Sequence, residues 1–129
     1  MQKNKTKRRK KILTKISSGV IHVHSTFNNT IVSVTDPKGK ILCWSSAGTS
    51  GFKGSRKSTP FAASVAAREA GRKAKDFGIS EIKIRLKGPG AGKESAVRSL
   101  RTEGFRIAGI VDITPTPHNG CRPKKRRRV

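Results

Sequence analysis

Hydrophobic and polar positions fall into short patterned segments separated by glycine, proline and asparagine. Val20-Ile21-His22-Val23-His24 alternates with the period of two that a strand requires, and a turn at Phe27-Asn28-Asn29 follows it. Thr30-Ile31-Val32-Ser33-Val34-Thr35 is β-branched and alternating, which predicts a second strand. Asp36-Pro37-Lys38-Gly39 carries turn chemistry, with proline presetting φ and glycine free to take a positive one. A third strand is expected over residues 40–46. Connections this short make the three strands an antiparallel meander.

The pattern then changes period. A loop over residues 47–58 carries Gly48, Gly51 and Gly54 at intervals of three. Thr59-Pro60 predicts a helix start, Thr59 as N-cap and Pro60 in the first turn, with the helix running to about Phe77 and stopped by Gly78. Phe61, Val65, Ala66 and Phe77 form its expected buried stripe, while Ala62, Ala63, Ala67, Ala70, Gly71 and Ala74 keep it slim enough to approach a sheet closely. A fourth strand is expected over 79–86, with Ile82, Ile84 and Leu86 alternating against Lys83, Arg85 and Lys87. A second helix over about 93–103 buries Ala96, Val97 and Leu100 and ends at Gly104, and a fifth strand covers 105–113. The order β-β-β-α-β-α-β predicts an α/β fold: a mixed five-stranded sheet, an antiparallel meander followed by two β-α-β crossovers whose right-handedness lays the helices over it. There is no internal repeat.

Charge says what the fold is for. The 129 residues contain 30 Lys and Arg against 7 Asp and Glu, a net charge of +23. Self-repulsion on this scale opposes compaction unless a polyanion is close, and nucleic acid is the leading candidate, ahead of an anionic membrane surface. The charge is segregated. Residues 1–18 hold eight cations and residues 118–129 six more, neither segment containing an acid, so the two arms carry +14 of the +23. Like-charge blocks of this kind stay disordered until an anion orders them. The expected organisation is a basic N-terminal extension over 1–18, a globular domain over 19–117 and a basic C-terminal tail over 118–129. With 33% hydrophobic residues the chain supports one core and not two.

Two glycine-rich loops are the candidate phosphate sites. Gly51-Phe52-Lys53-Gly54-Ser55-Arg56-Lys57-Ser58 combines glycines, hydroxyls and three cations, and leads into a helix N-terminus whose amides and dipole favour phosphate. Lys87-Gly88-Pro89-Gly90-Ala91-Gly92-Lys93-Glu94-Ser95 lies between a strand and a helix, as a nucleotide-binding P-loop does. Its spacing is one residue short, and Glu94 puts a negative charge where Ser or Thr should hold magnesium. Generic phosphate chemistry survives, flanked by Lys87 and Lys93. Gly90→Val is expected to remove RNA protection at one site and leave the fold intact.

Other chemistries are poorly supplied. A two-metal nuclease needs several converging carboxylates, and the seven acids are scattered. His118-Asn119-Gly120-Cys121 offers half a zinc site with no second pair at ligand spacing. His22 and His24 share a strand face, where hydrogen bonding is the ordinary role. Cys43 and Cys121 are expected to be reduced thiols rather than a disulfide staple. No apolar run approaches the roughly 20 residues of a membrane span, and the N-terminus lacks a secretory apolar block. Five Phe, one Trp and no Tyr do not make a stacking platform. For Trp44 and Phe52, contact with a base or a partner is the alternative to core or edge packing, which is preferred, and recognition is assigned to the shape and backbone of folded RNA. Neither a metal nor a cofactor nor an enzymatic activity is expected. An architectural DNA-binding protein is the alternative function, disfavoured by the lack of an apolar wedge hairpin.

Several segments together resemble the bacterial-type family of small-subunit ribosomal proteins numbered eleven. They are Gly19-Val20-Ile21-His22-Val23, Thr26-Phe27-Asn28-Asn29-Thr30, Trp44-Ser45-Ser46-Ala47-Gly48, Gly51-Phe52-Lys53-Gly54, Thr59-Pro60-Phe61-Ala62-Ala63, Lys87-Gly88-Pro89-Gly90, Ser95-Ala96-Val97-Arg98-Ser99-Leu100 and Asp112-Ile113-Thr114-Pro115. Pro117-His118-Asn119-Gly120-Cys121-Arg122-Pro123 with its basic tail is the most specific. The resemblance spans residues 19–129. It implies a ribonuclease-H-like sheet without catalytic acids, seated on the platform of the small subunit and bound to the central domain of its ribosomal RNA near the messenger RNA exit path. Implied neighbours are small-subunit proteins seven, eighteen and twenty-one, with messenger RNA nearby, no membrane and no homo-oligomer. The implied location is the ribosome of a bacterial cytoplasm or plastid stroma. RNA contacts are assigned to Asn28, Asn29, Lys53, Gly54, Arg56, Lys57, Lys87, Gly88, Pro89, Gly90 and Lys93, then to His118, Asn119, Arg122, Lys124, Lys125, Arg126, Arg127 and Arg128.

Overall fold

The computed structural model of the protein describes residues 16–128. Most of the N-terminal arm expected over 1–18 lies outside the described residues. Its last three belong to the folded unit: Ile16 N–H donates to the Phe77 carbonyl, and the Ser17 carbonyl accepts from Ser80 and Glu81.

The meander forms as expected, from β1 (Ser18–Ser25), β2 (Thr30–Thr35) and β3 (Ile41–Ser46). A turn closed by the Asp36 carboxylate, which accepts from Lys40 N–H at 2.7 Å, joins β2 to β3, with Gly39 at φ 98°. Helix α1 (Pro60–Asp76) then carries the chain to β4 (Glu81–Lys87), and α2 (Gly92–Thr102) carries it to β5 (Arg106–Asp112). The sheet order is β3-β2-β1-β4-β5, with β1 antiparallel to β2 and parallel to β4, and β4 parallel to β5. This is the α/β fold with a five-stranded mixed sheet that the sequence predicts.

Both crossovers advance across the sheet in the same direction, from β3 toward β5. Right-handed connections advancing one way place both helices on one face. Ile21, Val23, Val32, Val34, Ile82 and Ile84 point to that face and are fully buried with Ala96 and Leu100. The opposite face, bearing Val20, His22, His24, Lys83, Arg85 and Lys87, has no layer over it among the described residues.

Helix α1 differs from expectation in one respect. Phe61 is 66% exposed, and Val65 and Phe77 are only partly buried. The buried face consists of Ala62, Ala63, Ala66, Ala67, Ala70, Gly71 and Ala74. The reason is position: α1 packs against β2 and β3 on one side and α2 on the other. A helix held between two neighbours has room only for short side chains. A Cβ on Gly71 would lie 3.1 Å from the Phe105 ring. Ala66→Leu should therefore destabilise the protein by about 1–3 kcal/mol through overpacking, read as a lower urea midpoint at unchanged m-value. Val65→Leu, at a half-buried position, should shift the midpoint far less.

Candidate nucleic-acid interface

Strand directions bring the candidate residues to one end of the sheet. Ser25 pairs with Thr30, Ile31 with Ser46, His24 with Lys87 and Leu86 with Asp112. The β1–β2 turn, the loop after β3, the glycine loop after β4 and the tail after β5 thus share the edge formed by the carboxyl ends of four strands. Open α/β sheets characteristically bind ligands there.

The β1–β2 turn is held by Thr26, whose hydroxyl oxygen accepts from Asn28 and Asn29 N–H. The Asn29 side-chain oxygen accepts from Thr30 N–H at 2.8 Å, so its NH2 group is the end left for an external acceptor. Asn28 is exposed.

The loop over 47–58 is more ordered than its composition suggests. Ser50 donates to the Glu69 carboxylate at 2.8 Å, and this hydrogen bond is the largest cause holding Glu69 below the usual carboxylate range. Phe52 meets Phe61 edge-to-face at 5.9 Å. A short 3₁₀ helix, Gly54–Ser58, presents Lys53, Gly54 and Arg56 to solvent, with Lys57 half-buried. The helix-start phosphate site anticipated here is partly filled from within. Thr59 Oγ1 accepts from Ala62 N–H and donates to the Arg56 carbonyl, and Pro60 has no N–H. Cations, rather than amides, are what this loop offers an anion.

In the second loop the glycines face inward. Gly90 N–H donates to the Ser25 carbonyl at 2.9 Å, and a Cβ on Gly90 would overlap Ser25 Oγ and the Thr26 carbonyl. A Cβ on Gly88, at φ 99°, would overlap the Ser25 carbonyl, and one on Gly92 would sit 2.6 Å from Ala63 Cβ. The close approach inferred from these glycines is to β1 and α1, so the expectation that Gly90→Val spares the fold is corrected. Lys87, Pro89 and Ala91 are the outward parts of the loop. Lys93, half-buried, pairs with Asp112 at 3.2 Å.

The tail leaves through a contact that sequence reading missed. The Asp112 carboxylate accepts from the Thr114 hydroxyl and N–H and from Lys93, and Thr114 Oγ1 accepts from Gly88 N–H. Asp112-Ile113-Thr114, a carboxylate two residues before a threonine at a strand end, was the available signal. The Thr114 hydroxyl, followed by its N–H and then Lys93, holds Asp112 down to about 2. Beyond it the chain is exposed and without helix or strand to Arg128, with a turn at Asn119 (φ 73°) and Gly120. His118, Asn119, Arg122 and Lys124 to Arg128 all lie on this segment. Among the described residues no three His, Cys, Asp or Glu side chains stand together to hold a metal, and no described helix is long and apolar enough to cross a membrane.

A mixed sheet with cations gathered at the carboxyl ends of its strands and a polycationic tail leaving beside them defines a basic nucleic-acid-binding α/β protein. Comparison with known proteins narrows the class. The model of the family described as ribosomal protein S11 matches residues 19–128. The chain is 57% identical over 129 residues, all of both chains, to a small ribosomal subunit protein uS11 of Stenotrophomonas maltophilia. It is 58% identical to the uS11 protein of Rhodopirellula baltica over 125 residues, covering 97% of this chain and 98% of that one. With the uS11 protein of Xanthomonas campestris pv. campestris it shares 59% identity over 123 residues, 95% of each. The chain belongs to the ribosomal protein S11 family. It is by that membership a structural protein of the small ribosomal subunit, in a family of ribosomal proteins and not of enzymes.

Two outcomes check this geometry. Gly90→Val should destabilise the fold by at least about 2 kcal/mol, because strand and loop must separate, whereas Pro89→Ala, exposed and one residue away, should unfold nearly as the parent does. The Asp112 side chain should titrate near 2 by NMR, and Thr114→Val should move its midpoint up toward the ordinary value of about 3.9. Because the folded-state value is depressed, the carboxylate's contribution to stability is full above about 4 and lost as pH falls through 2.

Proposed function

We propose that this chain is a non-catalytic anchor for the central domain of small-subunit ribosomal RNA, on the platform beside the messenger RNA exit path. The carrying observation is convergence. Lys53, Arg56, Lys57 and Lys87, none of them paired with a described acid, meet the start of the arginine-rich tail at one edge of the sheet. The division into a globular domain over 19–117 with a basic arm on either side serves this reading. The domain sets a register on the RNA, and the 118–129 arm adds charge that adapts to many phosphate arrangements. The resemblance to the family supports proteins seven, eighteen and twenty-one as neighbours and a ribosome in a bacterial cytoplasm, the setting of the relatives above.

Phosphate recognition dictates the salt response. With about six to ten phosphates engaged, affinity for a central-domain transcript should fall by roughly three to five orders of magnitude between about 50 and 200 mM salt. Deleting residues 124–129 should flatten the slope by about one for each phosphate that the tail neutralises, with the same nucleotides protected in footprinting. A flat salt dependence, or equal affinity for duplex DNA of the same length, would refute the assignment.

A further inference from the structure

The open face of the sheet is built as carefully as the covered one. In the hydrogen-bonded register, Trp44 of β3, Ser33 of β2, His22 of β1, Arg85 of β4 and Val111 of β5 form one transverse row. Trp44 is 53% exposed and Val111 57%. On β4, Lys83, Arg85 and Lys87 all point outward, two residues apart, so their heads recur every 6–7 Å or so along the strand.

On the helix side Lys73, Lys75 and Lys93 are paired with Glu69, Glu103 and Asp112, while Arg68, Arg72, Arg98 and Arg101 have no ion pair among the described residues. The open-face cations are set apart by their regular spacing along one strand. Lys83, Arg85 and Lys87 have no ion pair among the described residues, and the one acid on this face, Glu81, sits at the far end of the strand. Protein–protein interface cores are depleted in lysine. A regular cationic strand beside an exposed indole instead suits a ligand with a repeating anionic backbone and flat apolar appendages.

We propose that the open sheet face binds an unpaired segment of RNA, its phosphates following Lys83, Arg85 and Lys87 and a base stacking on Trp44. This rests on the ribosomal-RNA reading above and adds a second site to it, which meets the loop edge at Lys87 and otherwise extends across the sheet away from the loops and tail. Trp44 and Arg85 are three strands apart, roughly 14 Å, a span that an arginine side chain and a nucleotide cover together. Between them His22 is held below its ordinary pKa, by burial first and Arg85 second, with Nε2 and the Thr35 hydroxyl 3.2 Å apart. A neutral ring leaves the strip under the bases free of charge. Single strands are bound in this way, by aromatic stacking beside a cationic track.

Trp44 is the only tryptophan, so its emission reports this face alone. The full-length protein is titrated with a labelled short oligouridylate and with a ribose-phosphate oligomer of equal length lacking bases. Label anisotropy reports all binding, and Trp44 emission reports the face. The oligouridylate should quench Trp44, and the base-free oligomer should bind without quenching. Lys83→Ala with Arg85→Ala should move the quenching midpoint to about tenfold higher RNA. Anisotropy without quenching would overturn the face proposal and leave the ribosomal-RNA reading standing. No binding of either oligomer would overturn both. In assembled small subunits, a photoreactive benzophenone residue in place of Trp44 should crosslink to RNA, and one in place of Lys57 serves as the loop control. A crosslink from position 44 to a neighbouring protein, or none where position 57 gives one to RNA, would also overturn the proposal.

Discussion

The seam between the glycine loop and the end of β1 holds the candidate binding edge together. Gly88, Gly90 and Gly92 bring the β4–α2 connection against Ser25, Thr26 and Ala63. At that distance no side chain fits, and the Gly90–Ser25 backbone hydrogen bond forms in its place. The seam fixes the β1–β2 turn on one side and the start of α2 on the other. Through Gly88 N–H and Thr114 it also sets where the tail departs. Loosening it would scatter the cations that the fold collects.

Charge is distributed by the same architecture. Where the helices cover the sheet, the three ion pairs join cations to acids on neighbouring elements or turns. Exposed pairs of this type contribute little stability, but they remove positive charge from the helix side. The strand ends and the open face keep theirs. The described cations lie outside the alanine-lined core, which is kept apolar.

Much of the fold was legible because it rests on local rules. β-branched alternation marks β2, Thr59-Pro60 marks the start of α1, and Gly78 and Gly104 mark the ends of both helices. The alanine run in α1 was also readable as slimness, but Phe61 and Phe77 drew the predicted stripe away from it. Hydrophobicity ranks phenylalanine above alanine, and only the gap between sheet and α2 reverses that order. At the candidate site, residue types and loops were legible, whereas the direction in which the glycines face was not.

By itself the sequence determined the elements, their order, the separation of charge into arms and domain, and family membership, since these depend on neighbours in the chain or on whole-length pattern. Only the tertiary structure decided that four loops share one edge, that Gly90 meets Ser25, and that Trp44 lies in one row with Arg85 on a face that no other described element covers. The physical reason is that strand order and register join residues tens of positions apart. Whether a glycine's missing side chain or a tryptophan's ring meets protein or solvent depends on what those distant strands place beside it.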